Sequence, residues 1–135
     1  MFFLMMLCTK ISNANFFLGD DYATALNKIK TDYWPGKTFT ETKIKVAENT
    51  VNAIIVYNPS EFVTTVLIIF GVNNKCIVED WTWKMSYLQT KLRILNGLYK
   101  NSPTEANTWI DGTIKYTLRF DQGHDNSFDE IVTYN

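Results

Sequence analysis

The chain has 135 residues, which is enough for one domain with a hydrophobic core. Its formal net charge of −1 gives no electrostatic reason to expect a nucleic acid or an anionic membrane as partner. Apolar residues make up 46% and charged residues 20%, as in ordinary globular proteins.

The first fourteen residues differ from the rest. Residues 1–8 are continuously apolar, and small side chains follow at Ser12 and Ala14. An apolar run followed by a small-x-small pattern is typical of a secretory signal cleaved after Ala14, and the run is too short to span a bilayer. No basic residue precedes the run, and the alternative is a first β-strand. We predict a signal segment at 1–14 and a single α+β domain at 15–135.

The two cysteines are Cys8 and Cys76. Removal of the signal would leave only Cys76, which cannot form an internal disulfide. Its place among strand residues favours a small, half-buried hydrophobic side chain over a reactive thiol.

A first helix is predicted over residues 22–33. Apolar side chains recur every three or four residues, at Tyr22, Ala25, Leu26, Ile29 and Tyr33. This spacing gives one buried helical face. Asp20 and Asp21 are good cap residues, and Pro35 with Gly36 is a stop signal.

Two strands follow this helix. Residues 38–46 alternate polar with apolar side chains, which is typical of an exposed edge strand. A turn at Glu48 and Asn49 separates it from an apolar strand at residues 51–57.

The most apolar stretch, residues 63–85, predicts a β-hairpin around which the chain is organised. Asn73 and Asn74 separate two runs rich in β-branched and aromatic residues. Asparagine tolerates the positive φ of a two-residue turn, so we place the turn on this pair.

The two-residue turn fixes the pairing across the hairpin. It pairs Val66 with Trp81 and Phe70 with Ile77. One face then carries Val66, Ile68, Phe70, Ile77, Trp81 and Trp83, and the other carries Leu67, Ile69, Cys76, Val78 and Thr82. Strands that are apolar on both faces are usually covered on both, so we predict a position in the middle of the sheet.

A second helix follows, with Ser86 as its predicted cap. An apolar stripe consists of Leu88, Leu92, Leu95 and Tyr99, and the outward side carries Gln89, Lys91, Arg93 and Asn96. Residues 108–120 then alternate as strand, with a bulge or short turn at Asp111 and Gly112. Residues 128–134 form the last strand.

The order of elements is helix, four strands, helix, and two or three strands, with no detectable repeat. Runs of strands favour an α+β domain with a mainly antiparallel sheet. We expect about five to six strands, with two helices packed on one face of the sheet.

The sequence offers little catalytic or metal-binding chemistry. His124 is the only histidine and lies in a polar loop, where a solvated role is favoured over a catalytic one. Asp121, Asp125 and Asp129 surround Gly123 but lack the calcium-loop pattern, so a plain hairpin loop is favoured. There is no nucleophile elbow, zinc spacing or phosphate-binding glycine motif. We predict no catalytic residues, no metal and no cofactor.

A tryptophan cluster is the most unusual feature. Trp81 and Trp83 share one strand face, and Trp109 is expected nearby. They are our candidate binding residues, lining a groove. The alternative is an aromatic core beneath the helices. The adjacent carboxylates Glu79 and Asp80 point to opposite faces.

A resemblance to known proteins follows from these elements. The signal-like start, the Phe-Leu-Gly-Asp lead at residues 17–20 and the Phe-Gly-x-Asn-Asn-Lys hairpin at residues 70–75 resemble small secreted α+β proteins of bacterial envelopes. The shape is similar to outer-membrane assembly lipoprotein and β-lactamase-inhibitor-protein modules. The resemblance implies helices on an antiparallel sheet and a role in binding proteins. It transfers no functional residue.

The first functional hypothesis is therefore a small, secreted or periplasmic binding domain without catalysis. Its expected partner is another protein or a small ligand, with no nucleic acid and no transmembrane segment. The alternatives are a cytosolic α+β protein of a mobile element and a small hydrolase that uses His124.

Overall fold

The computed structural model describes residues 15–120 and 126–135. Helix α1 spans Tyr22–Asn27 and continues as a π-helical segment over Lys28–Tyr33, and a 3₁₀ turn at Met85–Tyr87 leads into helix α2 at Leu88–Leu98. The strands are β1 Phe39–Val46, β2 Asn49–Ser60, β3 Val63–Phe70, β4 Cys76–Lys84, β5 Lys100–Asn101, β6 Thr108–Asp111, β7 Ile114–Arg119 and β8 Ser127–Tyr134.

The described strands form one antiparallel sheet in the order β1-β2-β3-β4-β8-β7-β6-β5. The α+β class and the antiparallel sheet are confirmed, whereas the expected five to six strands was wrong, since there are eight. Gly112, with φ +58°, turns the chain between β6 and β7. The short strand β5 pairs through only two residues, too few for a pattern to reveal.

The strand order reveals two halves of the same design. Each half is a helix followed by four strands, and the outer strands of the two halves lie at opposite edges. The halves meet where β4 pairs antiparallel with β8. The two sequences do not resemble each other, so no repeat was visible before the strand order was known.

Helix α1 begins and ends where the local signals place it. The side chain of Asp21 accepts a hydrogen bond from the Thr24 amide at 2.8 Å and caps the first turn. At the other end the Trp34 amide donates to the Ile29 carbonyl at 3.2 Å, a π-helical bond. Gly36, with φ +80°, then turns the chain towards β1.

Helix α2 differs from the prediction at its start and on its buried face. Ser86 lies in the 3₁₀ turn and does not cap the helix, whose first flanking residue is Tyr87. Lys91, predicted to face outward, is fully buried together with Leu95. The face that packs on the sheet is therefore centred on Lys91 and Leu95, with Leu92 half-buried at its side.

The central hairpin lies inside the sheet, and Val66 pairs with Trp81 as predicted. Its connection was predicted wrongly. The Asn74 amide donates to the Gly71 carbonyl at 2.8 Å, and Asn74 has φ +63°, which describes a three-residue loop with a bulge. The extra residue shifts the register, so Phe70 pairs with Cys76 and not with Ile77.

The core lies between one sheet face and the helices, which we call the covered face. Buried side chains of both helices belong to the same core as those of the central strands; its members include Ala25, Ile29, Ile54, Val66, Ile68, Trp81, Leu95 and Val132. Within the described residues, no helix has the length and hydrophobicity needed to cross a membrane.

Candidate functional site

The three candidate tryptophans all lie on the covered face. Trp81, Trp83 and Trp109 are only 2%, 2% and 3% exposed. Trp81 stacks on Trp83 with ring centroids 5.8 Å apart, and Trp83 stacks on Tyr87 at 4.8 Å. No ring surface is therefore open to a partner, and these side chains pack as core. Their suggested role in binding stays a prediction.

Two fully buried carboxylates lie beside these tryptophans. The Trp81 indole N–H donates to Glu79 Oε1 at 2.9 Å, and that of Trp83 donates to Glu130 Oε1 at 3.1 Å. Burial raises the pKa of both carboxyl groups, and the hydrogen bonds that each accepts act in the opposite direction. The polar neighbours of each carboxylate thus favour its ionised form against the effect of burial.

Glu130 is paired with a buried lysine. Lys91 Nζ lies 3.0 Å from Glu130 Oε1 and 4.1 Å from the centroid of the Trp83 ring. Burial lowers the pKa of Lys91, whereas the nearby carboxylate raises it. This group joins α2 to β8 inside the core, and both side chains are 0% exposed.

Glu79 holds the chain segment that leads into α1. The backbone N–H groups of Asn15 and Phe16 donate to its Oε1, both at 3.1 Å. Those of Phe17 and Leu18 donate to its Oε2 at 2.7 and 3.0 Å. One carboxylate therefore accepts four consecutive backbone N–H groups, and it fixes the entry of the described chain onto the covered face.

The opposite sheet face, which we call the open face, has no helix packed on it among residues 15–120 and 126–135. Half-buried aliphatic side chains form its centre, namely Ile55, Leu67, Ile69, Val78 and Ile131. Ile55 pairs with Leu67, and Ile69 pairs with Val78. Ile131 pairs with Asp80 on β4, so it lies across that carboxylate from Leu67. These residues form an apolar band on the central strands that borders Asp80.

A charged cluster lies beside this band. Arg119 Nη2 lies 3.2 Å from Asp129 Oδ2 and 3.8 Å from Asp80 Oδ2. The Thr82 hydroxyl donates to Asp129 Oδ1 at 2.9 Å. Asp80 Oδ1 is buried and has no hydrogen-bond partner within the described part of the chain. Two carboxylates therefore share one arginine.

Asp80 is the most perturbed member of the cluster. Burial, with a smaller contribution from the charge of Asp129, raises its pKa to about 6, although Arg119 acts in the opposite direction. The side chain is 20% exposed. Within residues 15–120 and 126–135 the ionised form is thus incompletely hydrogen-bonded, and a donor from a partner would complete it.

A groove of about 750 Å³ adjoins the cluster at one end of the open face. Its lining is rich in hydroxyl groups and includes Thr65, Thr82, Lys84, Ser86, Ser127 and Asp129. Thr82 and Asp129 belong to both the groove and the charged cluster. The open face and the groove therefore form one continuous surface.

The remaining sequence candidates give no catalytic arrangement. Cys76 is fully buried, and burial raises the pKa of its thiol far above its ordinary range. The described residues contain no group of three or more metal-ligating side chains placed to hold an ion. His124, Asp121 and Asp125 lie outside the described residues, as do 1–14.

Sequence reasoning missed most of this surface. Alternation did place Glu79 and Asp80 on opposite faces, and the structure confirms this. The clustering of Asp80 with Asp129 and Arg119 joins β4 to β8 and β7. No local pattern indicates which of those strands are neighbours.

No protein-family model, curated protein or solved structure matches this chain. The resemblance to bacterial envelope proteins therefore stays a prediction. The function has to be argued from the residues of the chain.

Proposed function

We propose that the protein is an exported binding protein of a bacterial envelope that catalyses nothing and docks another protein on its open face. The observation that carries this proposal is the Asp80 carboxylate, one oxygen of which has no hydrogen-bond partner among the described residues, beside an aliphatic band on which no described helix packs. Contiguous apolar surface next to unpaired polar groups is the usual character of a partner site.

The surface also indicates the chemistry of the partner. The aliphatic band favours apolar side chains on the opposing surface. Asp80 and Asp129 carry two negative charges against the single positive charge of Arg119. A lysine or arginine of the partner would supply a donor that Asp80 Oδ1 does not find in the described part of the chain.

Export rests on the apolar run and the small residues before Asn15. The alternative is a cytosolic protein of the same fold. Mass spectrometry of the protein isolated from its native cells separates the two, because export with cleavage predicts an amino terminus at Asn15. A retained residue 1 would contradict the export part of the proposal.

Site-specific photo-crosslinking in those cells tests the binding proposal. A photoreactive amino acid replaces Leu67 or Ile131 on the open face. The matched controls replace Gln89 or Arg93, which are exposed on α2. We expect both open-face positions to crosslink one common protein that the helix positions do not reach. Equal products from both sets of positions would contradict the proposal.

A small polar ligand in the hydroxyl-lined groove is the second candidate. It is favoured by the density of threonine and serine hydroxyls there. Thr65→Val would weaken such a ligand while leaving the crosslinks from Ile131 unchanged. Loss of the common crosslinked protein in the Asp80→Asn variant would instead favour protein docking.

A further inference from the structure

The buried carboxylate of Glu79 differs from that of Glu130 in one respect. Glu130 has Lys91 as a positive partner at 3.0 Å. Glu79 takes part in none of the ion pairs found between described residues, and its recorded hydrogen bonds come from four backbone amides and the Trp81 indole. Buried charges are usually paired, so the Glu79 site, as far as the described residues show, is short of one cation.

The two carboxylates occupy equivalent places in the two halves of the fold. Each is the fourth residue of the last strand of its half, on the covered face. Each also holds the helical region of its own half: Glu130 binds Lys91 within α2, and Glu79 binds the segment that leads into α1. The second half thus shows that a buried ammonium group can pair with a carboxylate at this position, although Glu130 Oε2 has no hydrogen-bond partner among the described residues.

The first half carries a latent ammonium group at the required position. The backbone nitrogen of Asn15 lies 3.1 Å from Glu79 Oε1. Asn15 is also the residue that follows the signal-like segment, whose pattern places the cleavage site after Ala14. The sequence pattern predicts cleavage just before Asn15, and the structure places the nitrogen of Asn15 beside a buried carboxylate. These two independent observations therefore concern the same nitrogen atom.

We propose that the Ala14–Asn15 bond is a processing site and that the new α-ammonium group of Asn15 forms a buried ion pair with Glu79. An endopeptidase of the export pathway adds water across the amide, so that Ala14 leaves with a carboxylate and Asn15 gains an amine. An α-amine has an ordinary pKa of about 7.7–8.0 and takes up a proton at neutral pH. The same nitrogen that donated one amide hydrogen then carries a full charge.

The described ionisable groups around Glu79 do not supply this cation, so we assign it to the amino group of Asn15. Lys28, the first residue of the π-helical segment after α1, interacts with the charge of Glu79, but its amino group donates to Asp20 at 2.6 Å and to the Phe16 carbonyl at 3.3 Å. Two other ionisable groups interact with this site, namely Cys76 of β4 with Glu79 and Tyr116 of β7 with the Asn15 side chain. Neither group is a cation, and the buried ammonium group of Lys91 is paired with Glu130.

Cutting the folded full chain tests the ion pair. A protease recognition sequence is placed at positions 11–14, so that cleavage after folding leaves Asn15 as the first residue. We expect the cut to raise the melting temperature at pH 7 by about 4–8 °C, as one new charge-assisted hydrogen bond would. The rise should persist in Asp20→Asn, a nearby carboxylate variant, and should fall below about 1 °C in Glu79→Gln.

The pH dependence has a fixed sign. The ion pair raises the pKa of the α-amine in the folded state. While Glu79 is ionised, the stabilisation is therefore complete below the ordinary amine pKa and is lost as the pH rises through the raised value. Nuclear magnetic resonance titration of the labelled Asn15 amine measures that pKa in the cut parent chain, even if Glu79→Gln does not fold. An amine pKa at or below about 8, the ordinary value, would overturn the proposal, as would an equal rise in Glu79→Gln.

This inference rests on the export part of the proposed function, and the two fail in different ways. An intact amino terminus on the native protein overturns export and this processing site together. A terminus at Asn15 with no dependence of stability on Glu79 overturns only the ion pair. Neither result alters the crosslinks expected from the open face.

Discussion

Replacing Asp80 by asparagine is expected to stabilise the free protein at neutral and alkaline pH. The change keeps the size of the side chain and removes a carboxylate. Burial destabilises the ionised form of this carboxylate more than the neighbouring groups stabilise it. The amide group of the new side chain can donate towards Asp129. A residue that lowers the stability of the free protein is what a binding surface, and not a core, would retain.

The magnitude follows from the raised pKa of Asp80. Its pKa rises from 3.8 to about 6, and at 1.36 kcal/mol per unit this corresponds to at most about 3 kcal/mol. The ion pair with Arg119, which is 60% exposed, is screened by solvent and contributes little. Because solvent also reaches part of Asp80, we expect a gain of about 1–2 kcal/mol in the free energy of unfolding.

The sign is set by the direction of the shift. A carboxyl group whose pKa is raised on folding contributes stability that is complete below its unfolded pKa near 3.8, and this stability is lost as the pH rises through about 6. The advantage of Asp80→Asn should therefore be largest above pH 6 and should vanish near pH 4.

Urea unfolding at pH 4 and pH 8 measures both values. Glu48→Gln is the matched control, since it makes the same charge change at an exposed turn residue and should leave stability unchanged. The reasoning would be refuted if Asp80→Asn destabilised the protein at pH 8. It would also be refuted if the gain were the same at both pH values.

Three further changes test the core. Lys91→Met should cost about 3–5 kcal/mol because it leaves Glu130 buried without a partner, and adding Glu130→Gln should restore most of the loss in chemical unfolding. Trp83→Ala should cost about 3–5 kcal/mol as a core truncation, and a neutral quencher should barely reduce tryptophan fluorescence of the parent; strong quenching would contradict the buried assignment. Ile29→Ala should cost about 2–5 kcal/mol, and the half-buried Leu92 should lose less when truncated to alanine; equal losses would mean that α2 is packed differently.

Local signals predicted the parts of the fold that depend on local physics. Asp21 caps α1 because a short acceptor lies next to free helical N–H groups. Val66 pairs with Trp81 because strand alternation and hairpin closure fix the register to within the bulge. The bulge itself depends on Asn74, which adopts a positive φ in a three-residue loop. The sequence is compatible with this loop and with a two-residue turn alike, so it did not distinguish them.

The parts that were missed depend on distant partners. The helical-wheel pattern places Lys91 on the outward side of α2. Its burial depends on the ion pair that its ammonium group forms with Glu130 on β8. The tryptophans were expected either in a groove or in a core, and only the placement of both helices decides which face they occupy. The charged cluster of Asp80, Asp129 and Arg119 exists because β8 lies between β4 and β7.

The exposure of the open face in solution is the most direct test of the central claim. A soluble paramagnetic complex broadens methyl signals that solvent can reach, and the chain supplies matched neighbours on opposite faces. In the free protein we predict strong broadening at Ile55 and Leu67 and sharp signals at Ile54 and Ile68. If Leu67 and Ile55 were as protected as Ile54 and Ile68, the open face would be covered in the free protein, and the proposed docking surface would be contradicted.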